Sequence, residues 1–83
     1  MKLQKIKFEA NIKTEETTSL QMTHKSRATV RGVERFPQVG NMSNFEFGRN
    51  KEEAEKRAIQ GLRKNIAREL NVSIVWISVE RIN

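Results

Sequence analysis

The sequence predicts a small α+β fold with a three-stranded antiparallel meander, one amphipathic helix packed on the sheet, and a C-terminal strand. Three observations support this prediction. Apolar and polar residues alternate in three segments of the first half, a segment of helical period follows, and the last residues are rich in β-branched side chains. Because 83 residues suffice for only one hydrophobic core, we expect residues 1–83 to form a single domain of order β-β-β-α-β.

The first two strands are predicted from strict alternation. In residues 2–13 the apolar residues from Ile6 to Ile12 alternate with charged and polar ones. Residues 14–20 are polar and acidic, which predicts an exposed, mobile hairpin loop. Residues 21–33 have one small, apolar phase and one strongly basic phase. The predicted hairpin therefore has one covered face and one open face.

The third strand follows a predicted turn. Residues 34–41 contain Pro37 and a glycine, which end the second strand. Residues 42–48 then alternate again. We expect Phe45 and Phe47 to point toward the core, with the polar side chains of this strand on the other face.

A helix is predicted to begin at Lys51 and to end near Leu70. Asn50 and Glu53 have the spacing of an N-cap residue and a reciprocal carboxylate, and Asn71 suits a left-handed helix stop. The apolar residues fall on one arc, namely Ala54, Ala58, Ile59, Leu62, Ile66 and Leu70. This arc predicts that the helix packs on the covered face of the sheet.

The last predicted strand covers residues 72–82, from Val72 to Ile82, and is apolar in both phases. A strand of this kind needs cover on both faces. Two arrangements follow: a central position in the sheet, or an edge position in which the strand pairs with a second copy of the chain as a homodimer.

Composition limits the compartment and the chemistry of the chain. The absence of cysteine excludes disulfides and thiolate zinc sites, and the N-terminus lacks the apolar run of a signal peptide. No segment has the length of a membrane span. We therefore expect a soluble cytoplasmic protein that contacts no membrane.

The inventory of catalytic side chains is short. His24 is the only histidine, aspartate is absent, and the four glycines form no phosphate-binding loop. The glutamates cluster in the hairpin loop and in the first helical turn, where negative charge complements the helix dipole. We therefore expect a protein that is not an enzyme and uses no cofactor or metal; hydrolysis through His24 is a minor alternative.

Cations dominate the charge of the chain, with a net charge of +6 and a pI near 10.2, which favours a polyanionic partner. Alternatively, this excess only keeps a small protein in solution. Five cations occupy the arc opposite the apolar stripe of the helix: Lys56, Arg57, Arg63, Lys64 and Arg68. A solvated face that complements the dipole explains this arc equally well.

A second basic cluster arises if the first two strands pair as a hairpin. Their polar phases then share the open face, which Glu9 interrupts and which carries Lys5, Lys7, Lys13, Lys25, Arg27 and Arg31. Like charges that face each other across a ladder repel, so they lower stability unless an anion is bound. This clustering predicts a polyanion site on the open face.

The aromatic residues bear on the form of a nucleic-acid ligand. Phe8, Phe45 and Phe47 are assigned to the core, Phe36 is the one ring expected at the surface, and Trp76 fits either place. Proteins that read single strands display aromatic rings in a basic groove. The sequence therefore favours backbone contacts on a duplex.

Residues 48–58, from Gly48 to Ala58, resemble the junction of third strand and second helix in double-stranded RNA-binding domains. In that family a glycine, a capping polar residue, a lysine and alternating alanines lead into the helix. The resemblance implies phosphate contacts by Lys51, Lys56 and Arg57. The family opens with a helix that is missing here. The order of the elements also resembles HicB-type antitoxin domains.

The leading hypothesis is a small, basic, non-catalytic accessory protein that binds the nucleic-acid backbone. Its size and basicity are typical of short phage or mobile-element proteins. The alternative is a protein-interaction module, such as an inhibitor, antitoxin or assembly component, whose last strand adds to the sheet of a partner.

Overall fold

The computed structural model describes residues 5–31 and 35–83, so parts of the first two predicted strands and residue 34 of the predicted turn lie outside it. In the described residues the strands are β1 (Ile6–Glu16), β2 (His24–Arg31), β3 (Ser43–Gly48) and β4 (Ile77–Arg81), and the helix is α1 (Lys51–Leu70). Pro37–Val39 and Ile74–Trp76 form single 3₁₀ turns. The α+β class and the order β-β-β-α-β are confirmed.

The strands form one sheet in the order β3-β2-β1-β4. Strands β1, β2 and β3 pair as the predicted antiparallel meander, whereas β4 pairs in parallel with β1, so the sheet is mixed. The reason lies in α1, which spans about 30 Å and returns the chain to the end where β3 began. β4 then runs in the direction of β3, which is also the direction of β1.

Helix α1 covers one face of the sheet and forms the core with it. The buried residues of this cluster are Phe8, Ala10, Ile12, Ala28, Val30, Val39, Ala58, Leu62, Ile66, Ala67 and Ile77. Phe36 packs against Phe8 with the ring centroids 5.7 Å apart, so it is not the exposed ring that the sequence predicts.

No helix of the described residues has both the length and the apolarity that crossing a bilayer requires.

Both ends of α1 are capped as predicted. The side chain of Asn50 accepts a hydrogen bond from the backbone N–H of Glu53 at 2.9 Å, and Asn71 adopts the left-handed conformation with φ 55°. The Glu53 carboxylate accepts from the backbone N–H of Arg49 at 3.3 Å instead of from Asn50. The limits predicted for the helix are therefore confirmed. The hydrogen bond that Glu53 is expected to accept from Asn50 comes instead from the preceding residue, Arg49.

Strand β1 is longer than predicted, because Glu15 and Glu16 still pair with β2. The loop that follows is tied by its own hydroxyl groups. Thr17 Oγ1 donates to the carbonyl of Met22 at 2.6 Å, and the backbone N–H of Met22 donates to Ser19 Oγ at 3.1 Å. The predicted loop at residues 14–20 is thus strand in its first part and a hydrogen-bonded turn in its second.

Strand β4 is shorter than predicted. Because Ile74–Trp76 forms a 3₁₀ turn, the strand predicted for residues 72–82 does not include residues 72–76. Arg63 of α1 holds this turn and the start of β4, since its guanidinium donates to the carbonyls of Ile74 at 3.1 Å and Ile77 at 2.6 Å. The apolar residues of this segment therefore belong to a turn joined to a short strand.

The chain after β4 continues along β1. The backbone N–H of Ile82 donates to the carbonyl of Ala10 at 3.0 Å. The side-chain amide of Asn83 then accepts from the N–H of Ile12 at 2.8 Å and donates to its carbonyl at 2.7 Å. Asn83 thereby extends the pairing of β1 beyond β4.

Candidate nucleic-acid interface

The face of the sheet opposite α1 carries a compact group of cations and aromatic rings. In the strand register Lys13 of β1 pairs with Arg27 of β2, which pairs with Phe45 of β3. In the next row of this face, Glu15 pairs with Lys25, which pairs with Phe47. We call Lys13, Lys25, Arg27, Phe45 and Phe47 the open-face cluster.

The cations of the open-face cluster are only partly neutralised. Lys25 Nζ lies 3.4 Å from Glu15 Oε1, whereas the ion pairs found among the described residues include neither Lys13 nor Arg27. Lys13, Glu15, Lys25 and Arg27 line a shallow depression of about 200 Å³. Two like charges thus face each other beside a depression that is open to solvent.

The prediction that Phe45 and Phe47 belong to the core is wrong. Their side chains lie on the open face, with exposed fractions of 51% and 42%. The inner phase of β3 consists instead of Asn44, Glu46 and Gly48, of which Gly48 is buried. The argument for a duplex ligand assumed that these two rings are buried, so that argument fails, while the form of the ligand stays a prediction.

Close packing of α1 on β3 explains why the rings point outward. A Cβ atom on Gly48 would lie 2.4 Å from the backbone nitrogen of Ala54, and one on Gly61 would lie 2.1 Å from Asn44 Nδ2. Asn44 Nδ2 also donates to the carbonyl of Ala58 at 3.2 Å. Because the helix approaches β3 this closely, a phenylalanine ring has no room in the inner phase.

Phe45 is at the centre of the cluster. Lys25 Nζ lies 5.7 Å and Arg27 Cζ 5.9 Å from its ring centroid, within the range of cation–π contacts. The ring of Phe47 lies 6.1 Å away at an interplanar angle of 84°. Two exposed rings and two cations are therefore next to one another on neighbouring strands.

The other predicted cations of the open face lie toward the opposite end of the sheet. Glu9 pairs with Arg31 on one side and with Glu80 on the other. Arg31 is four strand residues from Arg27, which corresponds to about 13 Å. Lys7 pairs with Ser78, and Lys5 is exposed just before β1. The structure therefore does not bring Lys5, Lys7 and Arg31 into the open-face cluster.

The helix cations belong to the other side of the molecule. Lys56, Lys64 and Arg68 are exposed, as is Lys51 in the first turn. Arg57 pairs with Glu53 at 3.3 Å and donates to the carbonyl of Phe47 at 3.3 Å. The five cations predicted opposite the apolar stripe do not all share one free surface, because the guanidinium of Arg63 donates to the carbonyls of Ile74 and Ile77.

Among the glutamates, Glu55 is nearly buried and is held by structural contacts. Burial raises the pKa of its carboxyl, but hydrogen bonds from Thr14 and Arg81 and the charges of Arg81 and Lys51 outweigh this and lower it. Thr14 Oγ1 donates to Glu55 Oε2 at 2.6 Å and lies 3.0 Å from Ser26 Oγ. Glu55 therefore remains an anion and joins β1, α1 and β4.

The single histidine contacts the residue that precedes it. His24 is half-buried, and its Nδ1 lies 2.8 Å from Thr23 Oγ1. Within residues 5–31 and 35–83 no three side chains of His, Asp or Glu are grouped so that they could hold a metal ion.

Sequence reasoning found the three cations of the open-face cluster and missed its two rings. Alternation along β3 shows that Phe45 and Phe47 share a face, but it does not show which face. The signal that could have shown it was Gly48, which stands just before the helix and in the other phase of β3. A glycine within a strand indicates that another backbone approaches closely on the face to which the glycine belongs.

The chain matches no protein-family model, and no similar curated protein or solved structure is found.

Proposed function

We propose that this protein binds nucleic acid without catalysis, through the open face of its sheet. The observation that supports the proposal best is the facing pair of Lys13 and Arg27, with Lys25 in the neighbouring row. Like charges directly opposite each other destabilise a ladder. A row of phosphates would replace this repulsion with attraction.

The geometry of the open-face cluster suits a polyanion better than a single small anion. The depression is only partly enclosed, and Glu15 lines it together with the cations, so it is poorly suited to a single small anion. Its cations lie on two adjacent strands, which allows them to follow a chain of phosphates.

Electrostatic binding of this kind has a measurable signature. Neutralisation of about three phosphates gives a slope of log K against log salt of roughly −2 for a single strand and about −3 for a duplex. We expect micromolar or weaker affinity that falls steeply as salt increases.

The test compares two double variants with the same change in charge. Lys25→Glu with Arg27→Glu alters the open face, and Lys56→Glu with Lys64→Glu alters the exposed face of the helix. Fluorescence anisotropy with a labelled oligonucleotide measures affinity over a salt series. We expect the first variant to lose at least about tenfold in affinity and its salt slope to shrink by about two thirds, since two of the three phosphate contacts are removed.

The second variant is the matched control, and we expect it to change affinity by less than about threefold, through the overall charge alone. Equal losses in both variants would show that only net charge matters. That result would contradict a site on the open face.

The free edge of β4 supports a second candidate, a protein-interaction module. β4 is the outermost strand in the described part of the sheet, and the apolar side chains flanking it, Val75 and Ile82, are 56% and 43% exposed. Pairing with the strand of a partner, or of a second copy, would use backbone hydrogen bonds and would depend little on salt. Salt-independent association that survives the open-face variant would favour this candidate.

A further inference from the structure

We infer that Phe45 and Phe47 form a platform on which bases stack, and that the ligand of the open face is a single-stranded nucleic acid. This inference rests on the proposed function and specifies the form of the ligand.

The two rings are placed where a base can reach them. β3 is an edge strand of the described sheet, and its two phenylalanines are adjacent on the face that α1 leaves uncovered. About half of the Phe45 side chain and two fifths of the Phe47 side chain are exposed. The two rings are nearly perpendicular, with an interplanar angle of 84°, so each offers its π-face to a separate base.

The cations lie at the right place for the phosphates of the same nucleotides. Lys25 Nζ and Arg27 Cζ lie 5.7 Å and 5.9 Å from the centroid of the Phe45 ring. Lys13 of β1 pairs with Arg27 across the ladder. A nucleotide whose base stacks on Phe45 therefore has cations within reach of its backbone. This combination of a basic surface and stacking rings is the physical basis of binding to single strands.

A duplex cannot use the rings in the same way. Its bases are paired and stacked on one another, so a protein meets phosphates and base edges instead of base faces. A duplex on this surface would bury two phenylalanines against a charged backbone. The exposed rings therefore favour a single strand over a duplex.

The experiment measures the affinity of the full chain for a short labelled single strand of mixed sequence and for the corresponding duplex, at one low salt concentration. The variants are Phe45→Ala, Phe47→Ala, Phe45→Leu and Phe45→Tyr. Stacking contributes about 1–3 kcal/mol per base, so each alanine variant should lose roughly tenfold in affinity for the single strand. Phe45→Tyr should retain binding, and Phe45→Leu should lose it, because leucine has apolar area but no π-face.

Aromatic NMR spectra give a second readout that a purely structural role would not produce. The chain has four phenylalanines and no tyrosine. Addition of the single strand should shift the ring signals of Phe45 and Phe47 upfield, while those of Phe8 and Phe36, which pack against each other away from the open face, should stay in place. The thermal unfolding of each variant checks that these exposed positions do not alter folding.

Each outcome separates this inference from the proposed function. If the open-face charge variant abolishes binding, but Phe45→Ala and Phe47→Ala bind like the unaltered protein, the platform is refuted and the polyanion site stands. A duplex that binds as tightly as the single strand, or a Phe45→Leu variant that keeps full affinity, would also refute stacking. If the unaltered protein binds neither form at low salt, both proposals fall, and a protein partner becomes the explanation for the exposed rings.

Discussion

The two faces of the sheet differ in how their charged and aromatic side chains are packed and paired. On the covered face, apolar side chains are buried under the helix and polar ones are bonded to it: Asn44 donates to the carbonyl of Ala58, and Glu55 of the helix is paired with Arg81 of β4. On the open face, by contrast, Lys13 faces Arg27, and the adjacent phenylalanines are exposed. The covered face is therefore packed and bonded, while the open face keeps two cations opposite each other, an arrangement that lowers stability.

The cations show the same division. Arg63 donates to two carbonyls of the C-terminal segment and holds that segment against the helix. Arg57 pairs with Glu53 and donates to the carbonyl of Phe47 in β3. Lys13 and Arg27 have no such role among the described contacts. A count of positive charges alone therefore overestimates the number of cations that are free to contact a ligand, because Arg57 and Arg63 make contacts within the fold.

The largest expected effect tests the close contact between α1 and β3. Gly48→Ala should lower the free energy of unfolding by about 3 kcal/mol, because the new methyl group would meet the backbone of Ala54. Gly61→Ala is the control, since its methyl group meets the movable side chain of Asn44 and alanine favours the helix by up to about 1 kcal/mol. Urea denaturation measures both. A Gly48→Ala variant as stable as the unaltered protein would contradict the close contact that explains why the rings of β3 point outward.

The next effect compares two cations of the helix. Arg63→Ala should reduce the free energy of unfolding by about 2 kcal/mol, because two charge-assisted hydrogen bonds to carbonyls disappear. Lys64→Ala, at an exposed neighbouring position, should change it by less than about 0.5 kcal/mol. Thermal and urea unfolding at pH 7 provide the measurement. Similar stabilities for both variants would show that Arg63 belongs to the solvated face after all.

A smaller effect concerns pH and Glu55. Its pKa in the folded protein lies below the ordinary value of 4.5, so ionisation stabilises the fold above that pH and the contribution is lost as the pH falls toward the folded pKa. Glu55→Gln should cost about 1–2 kcal/mol at pH 7 and should have a weaker loss of stability below pH 4.5 than the unaltered protein. Unfolding curves between pH 3 and pH 7 test this expectation. Glu52→Gln, at an exposed position of the same helix, is the control for the change in net charge.

The smallest effect should be a gain. Lys13→Ala removes one member of the facing cation pair and should raise stability by about 0.3 kcal/mol at low salt, an increase that high salt cancels. Phe45→Ala should leave stability within about 0.5 kcal/mol of the original value, since the ring is half exposed. A clear destabilisation by either change would mean that the open face contributes to the fold.

The sequence by itself determined the α+β class, the order of the elements and the limits of α1, because these depend on local periodicity and on the caps Asn50 and Asn71. It also identified Lys13, Lys25 and Arg27 as residues of one surface, since alternation assigns each strand residue to a phase.

Tertiary structure decided the parallel attachment of β4, the role of Arg63 and the outward position of Phe45 and Phe47. These features depend on which phase the helix covers and on how closely it approaches. Phase assignment within a strand is symmetric, so Phe45 and Phe47 could have faced either way until the contact of Gly48 with Ala54 excluded one of the two faces.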